Sequence, residues 1–271
     1  MKKAVLIFLL LTVSSYCFAQ SDDLLKIHHT EPLYVDLIRD LGARKGEKEW
    51  NAGWSINDEK NFISYSGFVE YEFSPINRLG LEVELPFSFY QTLDQEYSTE
   101  VPKHRIEGLK MASQYTFWVS NRYQLSMAVG YMNELKFHSF HTMSIRKDIL
   151  KGNEYSPFII VAKKWSKNIH SLLYSGPVWK QDFATGKIHS SIQSNFSMHY
   201  VFPGTSHFIG VEFNQELTAN GLQTIVRPQA KVKVSSGLYL GMLTGIPVYS
   251  YDQGMSFMIR VIYEPKKRSK R

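Results

Sequence analysis

Residues 79–89 read Leu79-Gly80-Leu81-Glu82-Val83-Glu84-Leu85-Pro86-Phe87-Ser88-Phe89. Leu79, Leu81, Val83, Leu85, Phe87 and Phe89 share one side of a period-two chain, and Gly80, Glu82, Glu84 and Ser88 share the other. Successive side chains of a strand point to opposite faces, so this stretch is a strand with one apolar and one polar face. The pattern repeats on both sides of it. In 63–73, Ile63, Tyr65, Val69, Tyr71 and Phe73 oppose Ser64, Ser66, Glu70 and Glu72. In 123–131, Tyr123, Leu125, Met127, Val129 and Tyr131 oppose Gln124, Ser126, Ala128 and Gly130. Further on, Ile188, Ile192, Phe196, Met198 and Tyr200 oppose His189, Ser191, Gln193, Asn195, Ser197 and His199. Ile209, Val211 and Phe213 then oppose Glu212, Asn214 and Glu216, and Val226, Ala230, Val232 and Val234 oppose Arg227, Gln229, Lys231 and Lys233. Twelve such segments of about ten residues are expected between Glu49 and Glu264.

Alternation alone does not separate a soluble sheet from a membrane barrel; the connections and the polar face do. Ser74-Pro75-Ile76-Asn77, Ser120-Asn121-Arg122, Ser166-Lys167-Asn168, Pro203-Gly204-Thr205-Ser206 and Ser235-Ser236-Gly237 are tight turns on one side. The other side carries the long stretches Gln91 to His104 and His138 to Glu154, with shorter loops near Gly186, Asn220 and Asp252. Aromatic residues such as Tyr71, Phe73, Phe87, Phe89, Tyr90, Trp165, Trp179, Tyr200, Phe202 and Tyr263 gather near segment ends, as in interfacial girdles. Ionised groups on the polar face would carry a severe desolvation cost in a dry core, whereas a wet lumen accepts them. The expected fold class is all-β, an antiparallel transmembrane β-barrel of about twelve strands with short periplasmic turns and longer outer loops.

The 271 residues hold a single cysteine, Cys17, which excludes a disulfide scaffold and a zinc–thiolate site. Met1-Lys2-Lys3, the apolar run Ala4 to Val13 and the small residue Ala19 read as a cleaved signal peptide over 1–19. The net charge of +6 belongs to the ends. Lys2 and Lys3 leave with the signal, five positive charges sit in 266–271, and the body between carries −1. A secreted chain with a near-neutral body is not expected to bind nucleic acid. The domain plan is 1–19 signal peptide, 20–48 periplasmic segment or plug, 49–264 barrel, and 265–271 basic tail. Pro265 ends the last strand, and the tail follows no terminal aromatic residue.

The segment before the first strand has no period-two pattern. Asp36 to Leu41, after Pro32 and before Gly42, predicts one or two helical turns with a glycine stop. His29-Thr30-Glu31-Pro32-Leu33-Tyr34-Val35-Asp36 closely resembles the string that names the HAEPLYID family of secreted bacterial proteins, departing from it at Thr30 and Val35. The resemblance covers His29 to about Asn51 and continues loosely through the strands. It implies an outer-membrane, transporter-like barrel of undefined substrate, and brings no catalytic or binding residues with it.

Glu70, Glu72, Glu82, Glu84, Glu212, Glu216, Arg227, Lys231, Lys233 and Arg260 are expected to line the lumen as a charge network. Closure would bring the acids of 70–84 near Arg227, Lys231, Lys233 and Arg260 across the seam. Such a network either fills the lumen and fixes the seam, which is the preferred reading, or forms a constriction field for a zwitterionic or charged solute. His29, Glu31, Asp36, Arg39, Asp40 and Arg44 form the candidate plug, the acids and arginines pairing with wall charges. His28, His29, Glu31 and Asp36 are of metal-ligand type, but their spacing matches no standard site, so no metal and no cofactor is expected. The function expected is passive or gated passage of a small polar solute. Outer-membrane lipid and the barrel-insertion machinery are the partners, in the outer membrane of a Gram-negative bacterium. Two alternatives stand beside it. One is a structural or adhesive barrel acting through its two long loops. The other is a lipid esterase, since His189, Ser191 and Asn195 are similar in type to the His, Ser and Asn of outer-membrane phospholipases. The His-x-Ser-Asn-Gly run of those enzymes is absent, because Ile192 follows Ser191, and no catalytic residue is assigned.

Overall fold

The computed structural model describes residues 25–35, 37–59, 61–93, 101–145, 149–249 and 253–265. The expected signal peptide with Cys17, the tail beyond Pro265 and Asp36 lie outside them. The strands are β1 (Lys48–Glu59), β2 (Phe62–Phe73), β3 (Leu79–Thr92), the short β4 (Arg105–Ile106), β5 (Gly108–Ser120), β6 (Leu125–Phe137) and β7 (Leu150–Lys164). They continue as β8 (Ile169–Asp182), β9 (Ile188–Val201), β10 (Phe208–Thr218), β11 (Gly221–Ser235), β12 (Leu238–Tyr249) and β13 (Gln253–Tyr263). One helix, α1 (Phe140–Ile145), lies between β6 and β7.

Each long strand pairs antiparallel with its neighbours, and β13 returns to β1 with Trp50 opposite Tyr263 and Trp54 opposite Ile259. With β2 paired to β3 as well, the sheet has no free edge: it is a closed antiparallel barrel of twelve spanning strands. The two-residue β4 is an addition against Phe87 and Ser88 of β3. The connections follow the expected pattern of two long loops and several short ones on one side. The long ones are 93–104 and 138–149, while β10 and β11 are joined through 219–220 alone.

The alternation faces the way the sequence predicts. Val69, Leu85, Val129 and Ile192 are 47%, 42%, 45% and 53% exposed, whereas Glu72, Ser126, Ser197 and Glu212 are at most 2% exposed. An exposed apolar band around a closed barrel is the surface that lipid covers, since no other solvent accommodates it without cost. Trp50 packs on Tyr71 and Tyr71 on Phe73 near the turn end, with ring centroids 4.5 and 5.6 Å apart.

The interior is not uniformly polar, which differs from expectation. Ala112, Ala128, Phe158, Ile160, Ala162, Leu172 and Tyr174 form an inward apolar patch on β5 to β8, joined by Leu37, Ile38 and Leu41 of the N-terminal segment. Phe208, Leu243, Met258 and Ile262 form a second patch around Leu33. A wholly wet lumen would leave these side chains against water; the segment covers them.

Candidate functional site

Residues 25–35 and 37–47 lie inside the barrel, entering and returning at the turn end, where Lys26 Nζ is 3.0 Å from Glu47, and they touch inward side chains around its circumference. Their backbone has no regular structure, so each buried N–H needs an acceptor from elsewhere. The wall supplies them. Thr30 N–H donates to His170 Nδ1 at 2.9 Å, Leu33 N–H to Gln229 Oε1 at 2.8 Å and Tyr34 N–H to Glu212 Oε1 at 3.0 Å. Arg39 N–H donates to Glu72 Oε2 at 3.0 Å, and Gly42 N–H to Thr116 Oγ at 2.9 Å. In return Gln114 Nε2 donates to the Arg39 carbonyl at 2.9 Å. The segment is fixed at the turn end, where Gly46 N–H reaches the Ser74 carbonyl at 2.8 Å and Arg78 N–H reaches that of Ala43 at 2.6 Å.

The helix expected at 36–41 is absent among the described residues. Arg39 sits at φ 70° and Gly42 at φ 81°, outside the right-handed helical region. A six-residue helix is marginal alone, and here the wall acceptors take its donors instead. Gly80 permits this path, because a Cβ there would fall on the Ile38 carbonyl oxygen.

Glu70, Glu72, Glu82, Glu84, Glu212, Arg227 and Arg260 are buried on the inner face, whereas Lys233 is exposed, and the pairs these charges form differ from those expected. Arg260 Nη2 reaches Glu70 Oε1 across the seam at 3.1 Å. Arg227 instead donates to Asn214 Oδ1 at 2.5 Å and lies over the Tyr34 ring at 3.4 Å. Lys231 stands beside the rings of Phe208 and Tyr239, and the exposed Lys233 beside Tyr239. The other cations of the acidic wall come from nearer by. Arg39 Nη1 is 2.6 Å from Glu49 and 3.5 Å from Glu72, and Lys110 Nζ is 3.1 Å from Glu82 and 2.5 Å from Glu84. Side chains reach a neighbouring strand or the segment more readily than they cross a barrel. Glu212 is spent on the segment backbone, and Glu216 accepts from Ser191 Oγ at 2.7 Å.

Lys110, Glu49, Asn51, Glu134 and Lys136 were missed. The signal was available, since the same period-two reading of β5 puts Lys110 inward between Leu109 and Met111. Asn51 Nδ2 lies 2.8 to 3.0 Å from oxygens of Glu49, Glu70 and Glu72. Oxygens of Glu70, Glu72 and Glu82 come within 4.8 Å of one another, close enough to share a hard cation. Amide and cationic donors surround this cluster.

Within the segment, Arg39 meets the wall, while Asp40 turns inward on the segment itself, 2.5 Å from Lys26 Nζ. Arg44 is exposed at the mouth, where its N–H donates to Glu47. Burial works against the Lys26 ammonium, but Asp40 and Glu47 outweigh it and raise its pKa. His29 Nε2 lies 2.8 Å from Ser126 Oγ, with its ring edge-on to His170. Burial first, then His170 and Lys164, push its pKa from 6.5 down to about 3. A released segment would take up that proton near 6.5 and a docked one only near 3, so docking weakens as pH falls between those values. Hydrogen exchange of the Thr30 and Leu33 amides should therefore quicken from pH 7 to pH 4, after correction for intrinsic rates. The effect should shrink in His29→Asn; an equal pH response in both would count against the histidine.

The segment separates two cavities. The loop-side one measures about 560 Å³ and has Tyr34 at its floor. The turn-side one measures about 290 Å³, between His28, His29, Lys164 and Tyr239, and shares no lining residue with the first. Seven carboxylates border the loop-side cavity: Asp58, Glu59, Glu70, Glu82, Glu84, Glu107 and Glu134. Against them stand Lys110, Lys136, Arg227 and Arg260, together with Arg105, which is bonded to Glu107 at 2.7 Å. Among the described residues the balance is a formal charge of −2.

The His189, Ser191 and Asn195 set does not form a triad among the described residues. Ser191 is bonded to Glu216, Asn195 Oδ1 accepts from Asn214 Nδ2 at 3.0 Å, and His189 bonds to neither.

The family model described as HAEPLYID-like matches residues 25–264. No curated protein sequence matches the chain. In fold it is similar to the COG4313 outer membrane channel from Pseudomonas putida F1, with TM-score 0.65, 12% identity, and coverage of 83% of this chain and 98% of that one. It is similar also to the NanC porin, with TM-score 0.55, 11% identity and coverage of 80% and 99%. The KdgM porin, solved also in complex with disordered oligogalacturonate, gives TM-score 0.52, 12% identity and the same coverage.

Proposed function

Because the chain belongs to the HAEPLYID-like family, and its barrel is that of outer-membrane channels, we propose that it is an outer-membrane channel for a small polar solute, gated by its own residues 25–47. The observation that carries this is the division of one lumen into two vestibules by a segment without secondary structure. A barrel wall sealed by its own side chains would have no need to bond so many segment amides. A segment held by individual side-chain acceptors and two apolar patches can leave without unpairing any strand. In this reading the tight turns and the segment's anchor at Ser74 and Ala43 are periplasmic, the apolar band meets lipid, and the barrel-insertion machinery installs it. Ser191, bonded to a carboxylate and facing the lumen, gives the esterase reading no support.

Leu33 and Leu37, 1% and 2% exposed, anchor the segment in the two patches. Truncating each costs roughly 2 to 5 kcal/mol where the cavity does not collapse, and here that cost falls on docking. Leu33→Ala/Leu37→Ala should keep the heat-dependent gel mobility of a closed barrel while raising conductance in planar bilayers well above that of the parent. Folded barrels of both proteins that stay silent at all voltages would sink the channel reading.

A further inference from the structure

We infer that the loop-side vestibule favours small cations over anions; this rests on the channel reading above and names the class of solute it passes. The argument is the charge balance of the walls. Four of the five fixed cations there are paired with carboxylates, Lys110 with Glu82 and Glu84, Arg260 with Glu70 and Arg105 with Glu107, while Arg227 is held by Asn214 Oδ1 and the Tyr34 ring. Lys136 is held by Glu134 at 2.7 Å and by Glu154 at 3.5 Å. The carboxylates outnumber these partners, and the excess faces a water-filled space inside a low-dielectric wall, where field lines concentrate and counter-ions accumulate. Beneath the floor the turn-side cavity carries no such excess, since Glu31, Asp40 and Glu264 face Lys164, Lys167 and Lys231 there, which leaves the selecting field to the loop-side vestibule. Rings of carboxylates select cations by this mechanism. The rings at the border also receive cations. Guanidinium groups already lie over Tyr34, Phe68 and Tyr90 at 3.4, 5.4 and 5.7 Å from the centroids. The oligogalacturonate held by the KdgM porin is a polyanion, and the walls here have the wrong sign for such a solute.

The test is the reversal potential in a KCl gradient, read on the full mature chain and on Leu33→Ala/Leu37→Ala, which loosens the segment and changes no charge. Potassium should permeate over chloride by about tenfold at low ionic strength. The preference should fall toward unity near 1 M salt, where the screening length is roughly 3 Å. Glu59→Lys, at the rim and away from the Lys110 and Arg260 pairs, should reduce the ratio several-fold; its folding is checked by heat-dependent mobility. Conductance with no cation preference, or with an anion preference, overturns the inference and leaves the channel standing. Folded protein that conducts in neither form overturns the channel reading and this inference with it.

Discussion

Replacing Arg260 by Met should lower the stability of the barrel by about 3 to 5 kcal/mol, the cost of leaving one partner of a buried ion pair behind. Arg260 and Glu70 are 2% and 3% exposed, and the arginine lies on β13, one strand away from β2 across the closing β1. Its removal leaves Glu70 beside Glu72 and Glu82, with which it already shares a space of 4.8 Å. The guanidinium also donates to the Leu33 carbonyl at 3.4 Å, so the segment loses a contact as well. The measurement is the temperature at which the protein in detergent stops migrating as the folded form, with urea unfolding in lipid vesicles for the free energy. Glu70→Gln added to Arg260→Met should recover part of the loss, because no charge is then left alone. A single Arg260→Met as stable as the parent within about 0.5 kcal/mol would show that the pair contributes nothing at the seam.

Gly80→Val is expected to act on the segment and spare the barrel. The strand itself accepts the change, since β-branched side chains suit strands and Gly80 has no positive φ. The space does not accept it. A Cβ at 80 would meet the Ile38 carbonyl oxygen, its carbon at 2.9 Å and the Arg39 Cβ at 3.1 Å. Backbone has to move, and the mobile partner is the segment, whose hold through Glu72, Gln114 and Glu49 lies within a residue or two of the collision. Overpacking of this kind costs about 1 to 3 kcal/mol, which corresponds to amide exchange at Arg39 and Gly42 roughly 5- to 150-fold faster. The heat-dependent mobility should persist, and conductance should rise as in the leucine variant. Unchanged protection at Arg39 and Gly42 would mean that the segment finds another path past β3.

The period-two alternation, read together with the connections and the charge of the polar face, was enough to derive the barrel and its inward and outward faces. A strand has only two faces, so one misplaced register would have put Glu70, Glu72, Glu82 and Glu84 toward lipid, and the pattern admits no second solution. The same logic would have found Lys110 on β5. Partners are a different matter. That Arg260 meets Glu70, that Glu82 and Glu84 share Lys110, and that Arg227 turns to Asn214 and Tyr34 depend on distances across a curved wall, which alternation does not encode.

The N-terminal segment marks the boundary most sharply. Its sequence carried a family resemblance and a local preference for a helical turn at 36–41, but a turn that short has too few internal hydrogen bonds to hold its own conformation. Its path is decided by acceptors on strands far along the chain, His170, Glu212 and Gln229 among them, and by the missing side chain at Gly80. Local pattern therefore determined the wall, because each strand's two faces meet different solvents. Only the closed tertiary structure decided what the wall encloses, because the segment takes its backbone partners from side chains on strands far along the chain.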